Sequence, residues 1–185
     1  MKTLDQFIGV YEGAVPADVC KGIVDFYGKH AAWKKSTYSG YDGLADNSDQ
    51  RVDMMDFWIQ PGQPFFDDIS NALIGAVKRY VEQHPDFSVA KSNGFRINRY
   101  GPGGFMSRHV DNIHNSHGQK EGFPLASCSI MLNENFAGGD FVFFDEVVIP
   151  AKTGQAIVFP SNFLFPHAVS RIESGVRYSI VTWML

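Results

Sequence analysis

From Phe95 to the C-terminus the chain runs as one short apolar stretch after another, each broken off by Gly, Pro or a polar cluster. The stretches fall at 95–100, 105–110, 126–132, 140–145, 155–160, 164–170 and 176–184, and such spacing predicts the strands of a sandwich or barrel. The last of them sorts its side chains by parity. Arg177, Ser179, Val181 and Trp183 share one face of a strand, while Tyr178, Ile180, Thr182 and Met184 share the other. His109 and Asp111 sit two apart, so on an extended segment they project together. His167 arrives far downstream, in the run 163–169. A close pair with a distant third member needs a fold that brings remote strands together, and a double-sheet jelly roll of the cupin type does so.

Two imidazoles and one carboxylate on one face of a metal leave three coordination positions open, a ligand set that suits Fe(II). The His-x-Asp pair alone carries little weight in a chain with six His. Its value lies in the combination with His167 and Arg177. An Arg and a Ser beside an apolar wall, with Trp183 further along, describe a pocket for a small carboxylate, which a planar guanidinium grips through two parallel hydrogen bonds. In 95–100, Arg96, Asn98 and Tyr100 share a face, so if Tyr100 points into the barrel the other two follow. His114 and His117 lie in a polar stretch, where solvated or substrate-facing roles are expected over ligation. His30 and His84 fall near predicted helix ends, where the helix dipole explains them.

The N-terminal half reads differently. Pro16 at a helix N1 position opens a helix in which Val19, Cys20, Ile23, Val24 and Tyr27 recur at helical spacing, with Gly28 as its stop. A second helix begins near Pro64, buries Phe66, Ile69, Leu73, Ala76, Val77 and Tyr80, and ends at Pro85. Both are expected to pack on the outside of one sheet. Between them, 36–50 is rich in Gly, Asp and Ser, and 51–59 reads as a strand. A polar connection of that length is expected to be functional or mobile. The fold class expected is α+β, mostly β. One domain, 1–185, is the natural division, with helical support in 1–94 and a catalytic core in 95–185.

Charge and cysteine usage exclude some classes. A net charge of -4 and a pI near 5.8 argue against a nucleic-acid footprint, which needs a basic face. Cys20 and Cys128 lie far apart, one on a helical apolar face and one in a strand, so buried thiols in a reducing compartment are expected. No apolar stretch reaches membrane-spanning length and residues 1–5 lack a signal-peptide core, which points to the cytoplasm and to no membrane partner.

The run 100–112, with its Gly-Pro-Gly-Gly turn before His109 and Asp111, resembles the iron-binding strand of the prolyl 4-hydroxylase-like 2-oxoglutarate (2OG) oxygenases. The runs 130–133 and 138–143 resemble the next two strands of that family; 166–169, 175–177 and the closing Trp183 resemble its C-terminal signature. The likeness covers 95–185, half of the chain, with five ordered motifs. It implies a double-stranded β-helix, Fe(II) held by His109, Asp111 and His167, and 2OG with its distal carboxylate on Arg177, assisted by Ser179. It also implies that Tyr100 lines the cosubstrate pocket and that Trp183 walls the site. Many relatives carry Tyr immediately before Leu-Asn, where this chain has Met131. The carboxylate-holding task of that Tyr would pass to Tyr100 or Ser129. The stretch 112–125 is longer than in those relatives, and the resemblance makes 36–50 a substrate lid.

The activity implied is 2OG- and O2-dependent hydroxylation with succinate and CO2 as coproducts, ascorbate being a further expected cofactor. Prolyl residues of a peptide or protein are the leading substrate, with Arg96, Asn98 and Trp183 as its contacts. Hydroxylation of a free amino acid or other small metabolite is the alternative. A non-catalytic iron or 2OG sensor ranks third, because every ligand and Arg177 are retained.

Overall fold

A computed structural model of the chain describes residues 3–37, 51–111 and 123–185. Strands are numbered in chain order. The larger sheet has seven, in the spatial order β1 (Gly9–Tyr11), β11 (Ala156–Pro160), β7 (Ala126–Met131), β14 (Arg177–Met184), β5 (Phe95–Tyr100), β4 (Met55–Ile59) and β2 (Lys34–Lys35). The smaller has five, in the order β10 (Val147–Ile149), β9 (Phe141–Phe143), β12 (His167–Val169), β6 (Phe105–His109) and β3 (Val52–Asp53). A two-stranded ribbon pairs β13 (Ile172–Ser174) with β8 (Ala137–Gly138). All pairings are antiparallel. The result is the expected double-stranded β-helix, with two α-helices among the described residues on one of its sheets.

Helix α1 (Ala17–His30) and helix α2 (Phe66–Gln83) form the outer layer. In α2, Ile69, Ala72, Leu73, Ala76 and Tyr80 are buried, one stripe at three- and four-residue spacing. They join Cys20, Ile23 and Tyr27 of α1 and Ala126, Cys128, Ile130, Ile180 and Met184 of β7 and β14 in a single apolar cluster. The central strands are therefore covered on both faces, by helices on one and by the second sheet on the other. β7 is buried along its entire length for that reason. A second cluster, with Tyr100, Phe141, Phe143, Ile157, Phe159 and Val169, fills the space between the sheets.

Several boundaries differ from those expected. Pro16 caps α1 from outside, one residue before the helix begins. Gly28 does not stop it; the last turn is held by His30, whose Nδ1 meets the Phe26 carbonyl (2.8 Å) and whose ring stacks on Phe26. The stretch 51–59 is two strands, because buried Met54 marks the point where the chain leaves the smaller sheet for the larger. The stretch 140–145 ends at Phe143, since Phe144 and Asp145 have φ of 58° and 66° and turn the chain into β10. The stretch 164–170 shortens to β12, because Asn162 closes a turn over Leu164 and Phe165.

Candidate active site

β6 and β12 lie side by side with His109 opposite His167, and Asp111 follows β6 at once. The Asp111 Oδ1 atom is 3.4 Å from His109 Nε2 and 3.7 Å from His167 Nε2. One ligand atom from each residue falls within 4.8 Å of the others, and among the described residues no second such group of His, Cys, Asp or Glu exists. Both rings are oriented in the same way. His109 Nδ1 meets the Ser107 carbonyl at 2.9 Å, and His167 Nδ1 meets the Phe165 carbonyl at 3.1 Å. Each carbonyl two residues upstream fixes the proton on Nδ1 and leaves the Nε2 lone pair facing Asp111. Burial, and then the neighbouring His109, push His167 down to about 4, so its ring is neutral at physiological pH and able to ligate. The rings of Phe141, Phe143 and Phe159 pack around it at 5.4, 5.5 and 4.8 Å.

Asp111 is steered from the larger sheet. Its Oδ2 accepts a hydrogen bond from Ser127 Oγ, which also contacts Ser161 Oγ at 2.8 Å. One carboxylate oxygen is thus engaged, and the other is left toward the imidazoles. Two imidazoles and a held carboxylate, converging on one point, fit iron. Neither Ser127 nor Ser161 was singled out by the sequence. Ser127 shares the parity of Ser129 on β7, a signal that could have raised it; Ser161 offered none.

Arg177 and its parity partners line the same cavity as the triad. Arg177, Ser179, Val181 and Trp183 of β14, Arg96, Asn98 and Tyr100 of β5, and Ser129 of β7 all face it. Arg177 is one of the largest fully buried side chains of the molecule. It donates to Ser179 Oγ at 3.0 Å and toward Met131 Sδ at 3.3 Å, and its guanidinium carbon lies 5.1 Å from the Tyr100 ring centroid. Its Nε has no partner, and among the described residues no carboxylate pairs with it. Burial lowers its pKa from the ordinary value, with Tyr100 opposing. A buried cation without an anion is unfavourable, so the cavity fits a ligand that brings a carboxylate. Of the two residues expected to replace the missing family Tyr, Tyr100 stands against Arg177, whereas Ser129 sits opposite Val181, further along the sheet. His114, His117 and residues 38–50 of the expected lid lie outside the described residues.

Residues 95–185 match the family model of the 2OG-Fe(II) oxygenase superfamily. No curated protein matches the chain in sequence. Among solved structures, a prolyl-4-hydroxylase from Pseudomonas putida is 20% identical, with a TM-score of 0.72 over 96% of this chain and 91% of that one. A prolyl hydroxylase from Trichoplax adhaerens, in complex with a hypoxia inducible factor peptide fragment, is 15% identical, with a TM-score of 0.72 over 97% and 84%. The viral collagen prolyl hydroxylase of Paramecium Bursaria Chlorella virus-1, as its 2OG complex, is 16% identical, with a TM-score of 0.70 over 99% and 98%. At these identities the likeness is one of fold. The C-terminal half is a 2OG-Fe(II) oxygenase domain. The protein is a 2OG- and Fe(II)-dependent dioxygenase, and its fold is similar to that of prolyl 4-hydroxylases.

Proposed function

We propose that this dioxygenase hydroxylates prolyl residues in a peptide or protein. The observation that carries the cosubstrate assignment is the buried, acid-free guanidinium of Arg177 in one cavity with the His109, Asp111 and His167 triad. The prolyl part is supported by likeness in fold, over nearly the whole chain, to three prolyl hydroxylases. When bound, Fe(II) with 2OG and O2 supplies oxidative decarboxylation of 2OG to succinate and CO2, coupled to hydroxylation of a substrate C–H bond.

The protein's own residues have distinct tasks in this reading. His109, Asp111 and His167 hold the metal, and Ser127 keeps Asp111 turned toward it. Arg177 grips the distal carboxylate of 2OG through its fork, Ser179 orients that fork, and Tyr100 closes the cavity beside it. Phe141, Phe143 and Phe159 exclude water from the metal side. Arg96, Asn98 and Trp183 face the substrate.

The test is mass spectrometry with purified protein, Fe(II), 2OG and a panel of proline-containing peptides and free amino acids. The expected result is a gain of one oxygen on proline in a peptide, matched by succinate release. Hydroxylation of free proline with no activity on any peptide would replace this reading with that of a small-metabolite hydroxylase.

A further inference from the structure

Two guanidinium groups line one cavity, and the cosubstrate needs only one of them. Arg177 stands opposite Tyr100, whereas Arg96 stands opposite Val181, four residues further along each strand. At about 3.3 Å per residue this separates them by ~13 Å along the sheet. The Arg96 end is the metal end: neighbouring Trp183 pairs with Ser127, whose hydroxyl holds Asp111. The Arg96 guanidinium carbon lies 4.7 Å from the Trp183 ring centroid, and Trp58, the cross-strand partner of Arg96, has its ring 6.1 Å from that of Trp183.

Arg96 has no acid of its own. Its Nε is buried without a hydrogen-bond partner, and among the described residues it forms no ion pair. Asp56, two residue pairs away on the same face, accepts instead from Ser36 Oγ at 2.7 Å. Asn98, 1% exposed and next on that face, also keeps its Oδ1 unpartnered. An aromatic surface fixes the plane of the guanidinium and leaves its edge free to donate, the arrangement in which Arg recognises planar anions. A single fork matches a carboxylate.

We propose that Arg96, held over Trp183, binds a carboxylate of the substrate, so that the enzyme selects a proline that carries or adjoins one. This rests on the prolyl reading above. The carboxylate is either the α-carboxylate of a free or C-terminal proline, or the side chain of an acidic neighbour in a peptide.

The experiment compares five compounds with the full chain, Fe(II) and 2OG. They are a peptide with an internal proline between alanines, the same peptide with Glu beside the proline, a peptide ending in proline as free acid and as amide, and L-proline. Oxygen gain gives KM, and anaerobic quenching of tryptophan fluorescence gives affinity without turnover. At least one acid-bearing compound is expected to bind ten-fold or more tightly than its neutral counterpart. Which pair shows the difference identifies the source of the carboxylate. Arg96→Gln should erase the preference while leaving the KM for 2OG within two-fold; Arg96→Lys, which keeps the charge, should retain part of it. Equal binding of acids and amides by the unmodified enzyme overturns the proposal, and so does a loss in Arg96→Gln or Arg96→Lys that falls on 2OG. If no proline compound gains oxygen, the prolyl reading fails by itself. Arg96 is then judged on other amino acids as acid and amide pairs: acid preference that vanishes in Arg96→Gln supports it, and no preference overturns it.

Discussion

At the scale of single residues, the metal centre depends on how few conformations its donors retain. Asp111 is the only anionic member of the triad, and Asp111→Ala is expected to abolish iron binding in an anaerobic Fe(II) titration; wild-type affinity would sink the assignment. Ser127→Ala tests the layer behind it. Losing the hydroxyl frees Asp111 to rotate, and iron affinity should fall by about 10–100-fold, the range typical of groups that orient a ligand. Unchanged affinity would mean that Ser127 is not what orients Asp111. Arg177→Ala should raise the 2OG requirement while leaving Fe(II) binding almost untouched, since removal of a buried charge-assisted contact costs about 2–5 kcal/mol. Much of this was legible from spacing. A period of two along one strand brought Arg177, Ser179 and Trp183 onto one face, and the same period paired His109 with Asp111. Parity with Ser129 marks the face of Ser127, but its link to Ser161 was not legible, because a hydrogen bond between β7 and the loop after β11 depends on register across strands, which spacing within a strand does not encode.

At the scale of elements, the apolar stretches gave the sheets and the helices, but their ends escaped wherever the turn lacked its usual residues. Phe144 and Asp145 take positive φ without a glycine, so the turn into β10 left no mark in the sequence. The break at Met54 is hidden for another reason. Residues on either side are equally strand-like, and the chain changes sheets only because β6 offers one edge and β5 another. Gly154 is the opposite case, a turn whose residue is dictated. It has φ of 78°, its N–H donates to the Met131 carbonyl, and a Cβ there would lie 2.0 Å from the Val15 carbonyl oxygen. Gly154→Ala should therefore lower stability by about 3 kcal/mol or more, combining backbone strain with displacement of the segment that precedes α1. Gly13→Ala is the control, with similar positive φ and nothing within 4 Å of the added carbon. Its cost should stay near about 1–2 kcal/mol. Urea unfolding of both variants measures the difference, and equal losses would show that the contact with Val15 yields without cost.

At the scale of the whole molecule, two layers of buried side chains serve different ends. The space between the sheets is lined with His, Asp, Arg, Asn and Ser among its aromatics, and it holds the chemistry. The layer between the helices and the larger sheet is mostly apolar, with phenols, thiols and the hydroxyl of Thr182 among its buried groups, and it covers the other face of that sheet. No described helix is long and apolar enough to cross a membrane. The apolar layer has a pH signature of its own. Burial raises Cys20 to about 11 and Cys128 to about 12, and it raises the phenol of Tyr80 as well. In the unfolded chain both thiols ionise near their ordinary value of 9.0. Between roughly pH 9 and 11 the unfolded state therefore loses protons that the native state keeps, so native stability is intact below that window and falls as pH rises through it. The urea midpoint should be flat from pH 7 to 8.5 and decline above 9, and a Cys20→Ala, Cys128→Ala double variant should decline less steeply. At pH 8 neither thiol should react with a disulfide reagent until the protein unfolds, because both are free, buried and protonated. Rapid reaction of the native protein, or a midpoint that does not move between pH 8 and 10.5, would mean that water reaches the layer between helices and sheet.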